Sequence, residues 1–368
     1  MPKRIVFHVP SLAGGGAERV IVLVANEMVT RGHDVTVVVW NADGPNAAML
    51  SPAVRLTNLG FAQRNERFGR LATLKGLWQT SRLLRRLQPD AVFSAAEFAN
   101  LVMAAALWVA RSRAKFFPGF HAAAALSSPR VGANLAIRLS KLVAARATCA
   151  IAVSRGVGHD LVARGYPPDR IAVIYNPLPP VAVRAHTPYA WRETLAATGN
   201  GPVIAALGRL VPVKDHKTLL AAFARLRADR PARLILFGEG PLEQETRLCA
   251  DELGIGKDVL FAGYVNDPAA CYSVVDLVVL SSTSEGFGNV LIEAMAHGVP
   301  VVSTDAPHGP REILADGRFG PLVPVGDAGA LATAMATTLD HPIAADVLKA
   351  HAGNFNIKAI GDSYERLL

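Results

Sequence analysis

The sequence predicts an α/β protein made of two Rossmann-like, doubly wound parallel-sheet domains, and three observations carry that prediction. The chain has 368 residues, more than one hydrophobic core usually covers, so two domains of roughly 150 to 200 residues each are expected. Short apolar runs alternate with stretches of helical periodicity along nearly its whole length, which is the pattern of a parallel sheet covered by helices on both faces. A single Pro-rich break, Asn176-Pro177-Leu178-Pro179-Pro180, interrupts the alternation, and Pro both fixes φ and withholds a ladder donor. The expected division is a first domain at 1–180, a linker at 181–200, a second domain at 201–350, and a C-terminal helix at 351–368 that can pack back on the first domain.

In the first half, Ile5 to Val9 is a short apolar strand, Ala17 to Thr30 a helix, and Val35 to Trp40 a second strand after the turn Arg31-Gly32-His33. Further strands are expected at Ala91 to Ser94, Lys115 to Pro118, Cys149 to Val153 and Ile171 to Tyr175. In the second half, strands are expected at Val203 to Leu207, Leu234 to Phe237, Val259 to Phe261, Leu277 to Leu280 and Val299 to Ser303. Ser284 to Asn289 reads as a Gly-rich loop, Val290 to His297 as an apolar helix stopped by Gly298 and Pro300, and Ile357 to Leu368 as a terminal helix. Two such domains facing each other would direct the carboxyl ends of both sheets into one cleft, where ligands bind in doubly wound folds.

Composition removes several classes. No apolar run reaches the roughly 18 to 20 residues of a spanning helix, and Met1-Pro2-Lys3-Arg4 leads into a strand rather than a signal peptide, so residence in the cytosol is expected. Cys149, Cys249 and Cys271 are widely spaced without a CxxC pair and read as small core residues rather than a metal site or disulfide framework. The net charge of +8 is unevenly spread: residues 1–187 hold 23 Lys and Arg against 9 Asp and Glu, whereas residues 188–368 hold 15 against 21. The densest basic run, Arg64, Arg67, Arg70, Lys75, Arg82, Arg85 and Arg86, is interleaved with Phe68, Leu71, Leu74, Trp78 and further leucines at helical spacing. That pattern fits a helix lying on an anionic membrane surface, and equally the solvated face of a packed helix. Nucleic acid is not expected as a partner, because no recognition motif accompanies the charge.

Four constellations carry chemistry. Glu285 and Glu293 stand eight positions apart in Ser284-Glu285-Gly286-Phe287-Gly288-Asn289-Val290-Leu291-Ile292-Glu293, one in the loop and one a turn into the helix. The amides of Gly286 to Asn289 lie between them at a helix N-terminus whose partial positive charge favours phosphate. A carboxylate at Glu293 can accept both vicinal hydroxyls of a ribose, and Asp305 to Leu314 extends the same region. Second, Gly208-Arg209-Leu210-Val211-Pro212-Val213-Lys214 follows a strand and offers one forked and one point cation, suited to neighbouring phosphates. Third, Gly14-Gly15-Gly16-Ala17-Glu18-Arg19 opens the first helix. It lacks the third glycine of a dinucleotide fingerprint, where Arg19 stands, and Trp40-Asn41 replaces the acid that would close the second strand. Fourth, His121 follows a first-domain strand, where an imidazole can bond a sugar hydroxyl without charge. No role is assigned to His8, His159 or His297. A paired-carboxylate hydrolase would need an acid and a base flanking a glycosidic bond, and nothing else in the sequence asks for hydrolysis.

Taken together these residues resemble the retaining glycosyltransferases of family 4 (group 1), with the GT-B architecture of two Rossmann-like domains. The E-x7-E pair at Glu285 and Glu293, the Arg209 and Lys214 pair, the Gly14 to Gly16 loop and His121 carry the resemblance. Gly15-Gly16-Ala17-Glu18-Arg19 and Gly309-Pro310-Arg311-Glu312-Ile313-Leu314 further resemble a subgroup that builds bacterial surface polysaccharides, lipopolysaccharide and lipid-linked oligosaccharides. The resemblance implies that Gly208, Arg209 and Lys214 hold the donor diphosphate and Glu293 the ribose. It implies that Glu285 with Gly286, Phe287, Gly288 and Asn289 meets the transferred sugar and its phosphate, that Tyr264 lies by the nucleobase, and that Gly15, Gly16 and His121 approach the donor from the first domain. Glu285, His121, Arg209 and Lys214 are thus the implied catalytic group, serving a UDP-linked hexose or N-acetylhexosamine donor and a lipid-linked or saccharide acceptor.

Breaking the anomeric bond puts negative charge on the departing diphosphate, which fixed cations and helix amides can stabilise. No DxD pair stands in the relevant loops, so neither metal nor other cofactor is expected. Same-face attack assisted by the leaving phosphate is the expected route, with double displacement through Glu285 as its rival. Two other classes remain open from sequence: a GT-B nucleotide-sugar epimerase, and a non-catalytic membrane-docked scaffold.

Overall fold

The computed structural model describes residues 1–13, 15–61, 69–121, 139–179, 189–197, 200–265 and 267–368. Gly14, Arg64, Arg67, Phe68 and much of the expected linker lie outside the described residues. The chain forms two compact units, Met1–Pro177 with Phe355–Leu368, and Leu178–Asn354.

The first unit is built on β1 (Arg4–His8), β2 (Asp34–Val39), β3 (Arg55–Asn58), β4 (Ala91–Ala95), β5 (Lys115–Phe120), β6 (Ala150–Ala152) and β7 (Ile171–Val173). They lie in the order β3-β2-β1-β4-β5-β6-β7, with every adjacent pair parallel. Central strands such as β4 are buried along their whole length because helices cover both faces. Phe93 stacks between Phe7 and Phe117 at centroid distances of 5.0 and 4.8 Å. The expected strands appear here within a residue or two; β3 was not expected, since Arg-Leu-Thr-Asn has no apolar run and sits exposed at the sheet edge.

The second unit holds β8 (Val203–Leu207), β9 (Arg233–Phe237), β10 (Val259–Gly263), β11 (Leu277–Leu280), β12 (Val301–Thr304) and β13 (Leu322–Val323), ordered β10-β9-β8-β11-β12-β13. The stretch read as linker at 181–200 contains the helix Ala190–Ala197, which belongs to this unit. Its Trp191 is buried, with its ring edge-on to Phe237 at 5.1 Å, so apolar burial rather than extended Pro-rich chain governs that part.

The helix Ala345–Ala352 packs on the helix Asn289–Ala296 in the second unit, so the crossing back comes at Asn354 and Phe355, slightly later than position 351. The terminal helix Ile357–Glu365 lies on the first-unit helix Gly16–Thr30. Tyr364 is buried there against Phe93, and Arg31 binds the helix through Asp362 at 2.7 Å, Glu365 at 2.6 Å and the carbonyl of Lys358 at 2.7 Å. Of the three cysteines, only Cys271 is fully buried; Cys149 and Cys249 are half-buried, and all three are free thiols.

Candidate functional site

In the second unit β8 and β11 are neighbours, and the chain proceeds from them toward opposite edges of the sheet. A crevice outside the carboxyl ends of strands at such a switch point is the usual ligand site of a doubly wound sheet. The loops leaving β8, β10, β11 and β12 carry most of the second-unit residues singled out from sequence.

Two glycines make the loops after β8 and β9 fit. Gly208 at φ +148° and Gly238 at φ +134° occupy backbone conformations that side chains rarely adopt. A Cβ on Gly238 would collide with the carbonyl oxygen of Gly208, and one on Gly208 would lie 3.2 Å from Cε of Lys214. The Lys214 stem therefore runs across Gly208. Cross-loop bonds hold the register: Gly208 donates to the Phe237 carbonyl at 2.9 Å and Gly238 to that of Gly263 at 2.8 Å. Arg209 is exposed beside the buried Leu210.

Lys214 reaches the loop after β11. Its Nζ lies 2.6 Å from Oε1 of Glu285, and Ser282 Oγ donates to the same oxygen at 2.6 Å. Neither charged side chain is more than 21% exposed, so the pair is only partly screened by water. The surrounding backbone is tied down: Ser281 Oγ donates to the Lys214 carbonyl at 2.7 Å, Thr283 N to the Val213 carbonyl at 2.8 Å, and Thr304 Oγ1 to the Ser282 carbonyl at 2.6 Å. Glu285 N donates to the Pro307 carbonyl at 3.3 Å and forms an isolated bridge with His308. Gly309 packs so tightly on Phe287 that any Cβ there would collide with the Phe287 carbonyl oxygen.

The helix Asn289–Ala296 begins at Gly288, at φ +107°, with no side-chain cap, so its positive end stands at the carboxyl edge of the sheet close to Glu285. Glu293, one turn in, is 7% exposed. Its Oε2 accepts from the phenol of Tyr272 at 3.2 Å; the Tyr272 ring stacks on His297 at 4.9 Å, and His297 Nδ1 lies 2.8 Å from the Glu293 carbonyl. Tyr264 is exposed just past β10, its amide donating to Oε1 of Glu239 at 3.3 Å. His216, behind Lys214, has its pKa lowered to about 4, first by burial and then by the lysine charge.

The unit thus brings together Gly208, Lys214, Glu285 and the Gly286–Asn289 turn, with Glu293 held from behind. Sequence reasoning missed Ser282, Tyr272 and Glu239. Ser282 had a signal in its position three residues before Glu285; Tyr272 and Glu239 had none, because sheet order sets their partners.

In the first unit the helix starts at Gly16 with Gly15 as its N-cap. The Glu18 carboxylate folds back onto Gly15, where a Cβ would collide with its Oε2. The chain thereby places its own anion at this helix N-terminus, which counts against reading the turn alone as a phosphate cradle. His121 follows β5, with Nε2 lying over Gly119, and its Nδ1 is buried without a partner among the described residues. Burial lowers its pKa to about 4 against a smaller opposing effect of a bond with Asn176, so the ring is neutral at pH 7.

Sequence profiles match both halves: Glycosyltransferase Family 4 over residues 14–181 and Glycosyl transferases group 1 over residues 190–354. The chain is 29% identical over 364 residues to the lipopolysaccharide core biosynthesis glycosyltransferase LpsE of Rhizobium meliloti, covering 96% of each. It is 36% identical over 137 residues, 37% of each chain, to the N-acetylgalactosamine-N,N'-diacetylbacillosaminyl-diphospho-undecaprenol 4-alpha-N-acetylgalactosaminyltransferase of Campylobacter jejuni. Among solved structures, Anabaena HepE in complex with UDP and glucose superposes with a TM-score of 0.80 at 23% identity over 99% of both chains. The lipopolysaccharide outer core galactosyltransferase WaaB gives 0.72 at 21% over 98% of both. The solved neighbours share the GT-B fold expected from the motifs, and the two profiles between them span nearly the whole chain. The chain belongs to the family 4, group 1 glycosyltransferases and has the GT-B fold.

Proposed function

We propose that this enzyme is a retaining transferase that moves a hexose or N-acetylhexosamine from a nucleotide sugar, UDP-linked, to a hydroxyl of a lipid-linked or polysaccharide acceptor without a metal. The observation that carries the reading is the Lys214–Glu285 pair, a cation and a carboxylate in contact at 2.6 Å beside the N-terminus of the helix that follows Gly288. Charge developing on a diphosphate would meet Lys214, Arg209 and the Gly286–Asn289 amides, carried on loops whose backbone is already tied by cross-loop bonds, while Lys214 turns from Glu285 to the phosphate. Glu293, oriented by Tyr272, is the proposed ribose group and Tyr264 the nucleobase neighbour, and a donor role for Gly15, Gly16 and His121 of the first unit rests on the family resemblance alone. A nucleotide donor agrees with the UDP complexes of HepE; a surface-polysaccharide or lipid-linked acceptor agrees with the names of LpsE and the Campylobacter transferase. The basic first half agrees with a peripheral place on the inner face of the cytoplasmic membrane.

The test is a panel of nucleotide sugars read by thermal stabilisation and by sugar release, with a chelator arm. Arg209→Ala, Lys214→Ala and Glu293→Ala should each abolish transfer with the fold intact, and near-normal turnover in all three sinks the assignment. NMR of donor with enzyme alone separates an epimerase, which converts donor without acceptor. A scaffold would bind lipid and show no nucleotide affinity by calorimetry. A covalent sugar trapped on Glu285 would replace same-face attack by double displacement, and loss of rate on chelation would remove metal independence.

A further inference from the structure

The helix Arg70–Leu87 has two unlike faces. Its inner face is anchored on Trp40, whose indole donates to Thr80 Oγ1 at 3.2 Å and whose ring leaves no room for a Cβ at Gly76. Leu83 and Leu84 are buried on that side. Its outer face presents Leu71, Leu74 and Trp78, which are 84%, 65% and 57% exposed. At about 100° per residue these three fall with Lys75, Arg82 and Arg85 within an arc of roughly 100°. The guanidinium of Arg82 lies over the Trp78 ring at 5.7 Å.

A neighbouring element continues this face. Arg85 donates to the carbonyl of Val109, at the end of the helix Glu97–Ala110, where Trp108 and Val109 are 46% and 47% exposed. Arg111 and Arg113 follow, both exposed. The charges are of one sign: no Asp or Glu occurs between Glu66 and Asp90, nor between Glu97 and Asp160. Asp90, at the helix end, is held by the backbone amide of Arg4 at 2.8 Å.

We infer that this face of the first unit, formed by the outer stripe of Arg70–Leu87 with Trp108 and Val109, is the surface that docks on an anionic lipid bilayer. The helix would lie in the interface plane, with Leu71, Leu74 and Trp78 among the acyl chains and the cations at the headgroups. This deepens the peripheral-membrane part of the proposed function and rests on that part, not on the chemistry of the second unit. A bilayer is the occupant that uses both features at once: exposed leucines gain nothing from a polyanion such as nucleic acid, and a second copy of the face would set cation against cation. Tryptophan with flanking arginine is the usual furniture of a membrane interface.

The experiment is co-sedimentation of the full chain with phosphatidylglycerol/phosphatidylcholine vesicles and with pure phosphatidylcholine vesicles. Three proteins are compared: wild type, Leu74→Glu with Trp78→Glu, and Lys75→Glu with Arg82→Glu. Wild type should bind the anionic vesicles, with binding falling as salt rises, and each double variant should lose about tenfold in partitioning. Thermal melts and sugar release from donor should be unchanged in both variants, since these side chains point away from the core. Wild-type binding that survives both variants, or no binding to anionic vesicles, overturns the inference. So does oligonucleotide binding in place of vesicle binding, or a dimer that the Glu variants dissolve. Vesicle binding without donor turnover would leave the docking face standing and count against the transferase reading instead.

Discussion

Glu285→Gln should tighten nucleotide binding while slowing transfer, and the two effects together test the arrangement at the β8/β11 switch point. In the structure Lys214 Nζ is 2.6 Å from Glu285 Oε1, and Ser282 Oγ is at 2.6 Å from the same oxygen. A hydrogen bond to a charged group contributes about 1.5–3 kcal/mol and a neutral one about 0.5–1.5 kcal/mol. Glutamine keeps an acceptor oxygen for Ser282 and removes the charge that holds the lysine. The difference, about 1–1.5 kcal/mol, becomes available to an incoming diphosphate, which amounts to roughly five- to twelvefold tighter binding. Calorimetry with UDP reads the affinity, and sugar transfer from the donor reads the rate, which should fall if Glu285 has the proposed place beside the transferred sugar. Lys214→Met is the control and should weaken UDP binding. Equal or weaker UDP binding by a well-folded Glu285→Gln protein would refute the idea that Glu285 and the diphosphate compete for one lysine.

Tyr272→Phe removes the 3.2 Å bond to Glu293. A neutral-to-charged contact of this kind should raise KM for the donor by a fewfold with kcat nearly unchanged; an equal fall in kcat would instead place Tyr272 in the chemistry. Gly309→Ala drives a methyl into the Phe287 carbonyl. Overpacking of this sort costs about 1–3 kcal/mol, so a lower melting temperature and lost donor stabilisation are expected. Arg31→Ala should release the terminal helix from its anchors at Asp362, Glu365 and Lys358, seen as faster hydrogen exchange over 357–365. His8, His121 and His216 each have a folded pKa of about 4, mainly through burial, against an ordinary value of 6.5. The unfolded chain therefore takes up these protons first: stability is complete above about pH 6.5 and lost as the pH falls toward 4. A denaturation midpoint equal at pH 7 and pH 5 would contradict this.

The acids of the site were legible because their setting is local. A buried strand, a Gly-rich turn and a helix stop can be read within one stretch, and they put Glu285 in a loop and Glu293 a turn into the helix Asn289–Ala296. The same locality recovered the central strands, whose apolar runs follow from burial on both faces. Edge elements escaped it: β3 is polar and exposed, and β13, Leu322–Val323, is too short to show a period. The helix Ala190–Ala197 was hidden by the prolines before it, although Trp191 is the side chain that fixes it to the sheet.

What each acid touches is a different kind of fact. Lys214 meets Glu285 across 71 positions and Tyr272 meets Glu293 across 21; the first contact exists because β8 lies beside β11, and the second joins the helices that precede and follow β11. The eight-residue spacing of the two glutamates therefore carries the proposal of an anion-and-hydroxyl site, while the difference in their surroundings comes from the tertiary fold. Glu285 faces a lysine that an incoming phosphate also wants, and Glu293 is braced by a buried phenol. On the proposed function, the first exchanges partners as donor arrives and the second holds still.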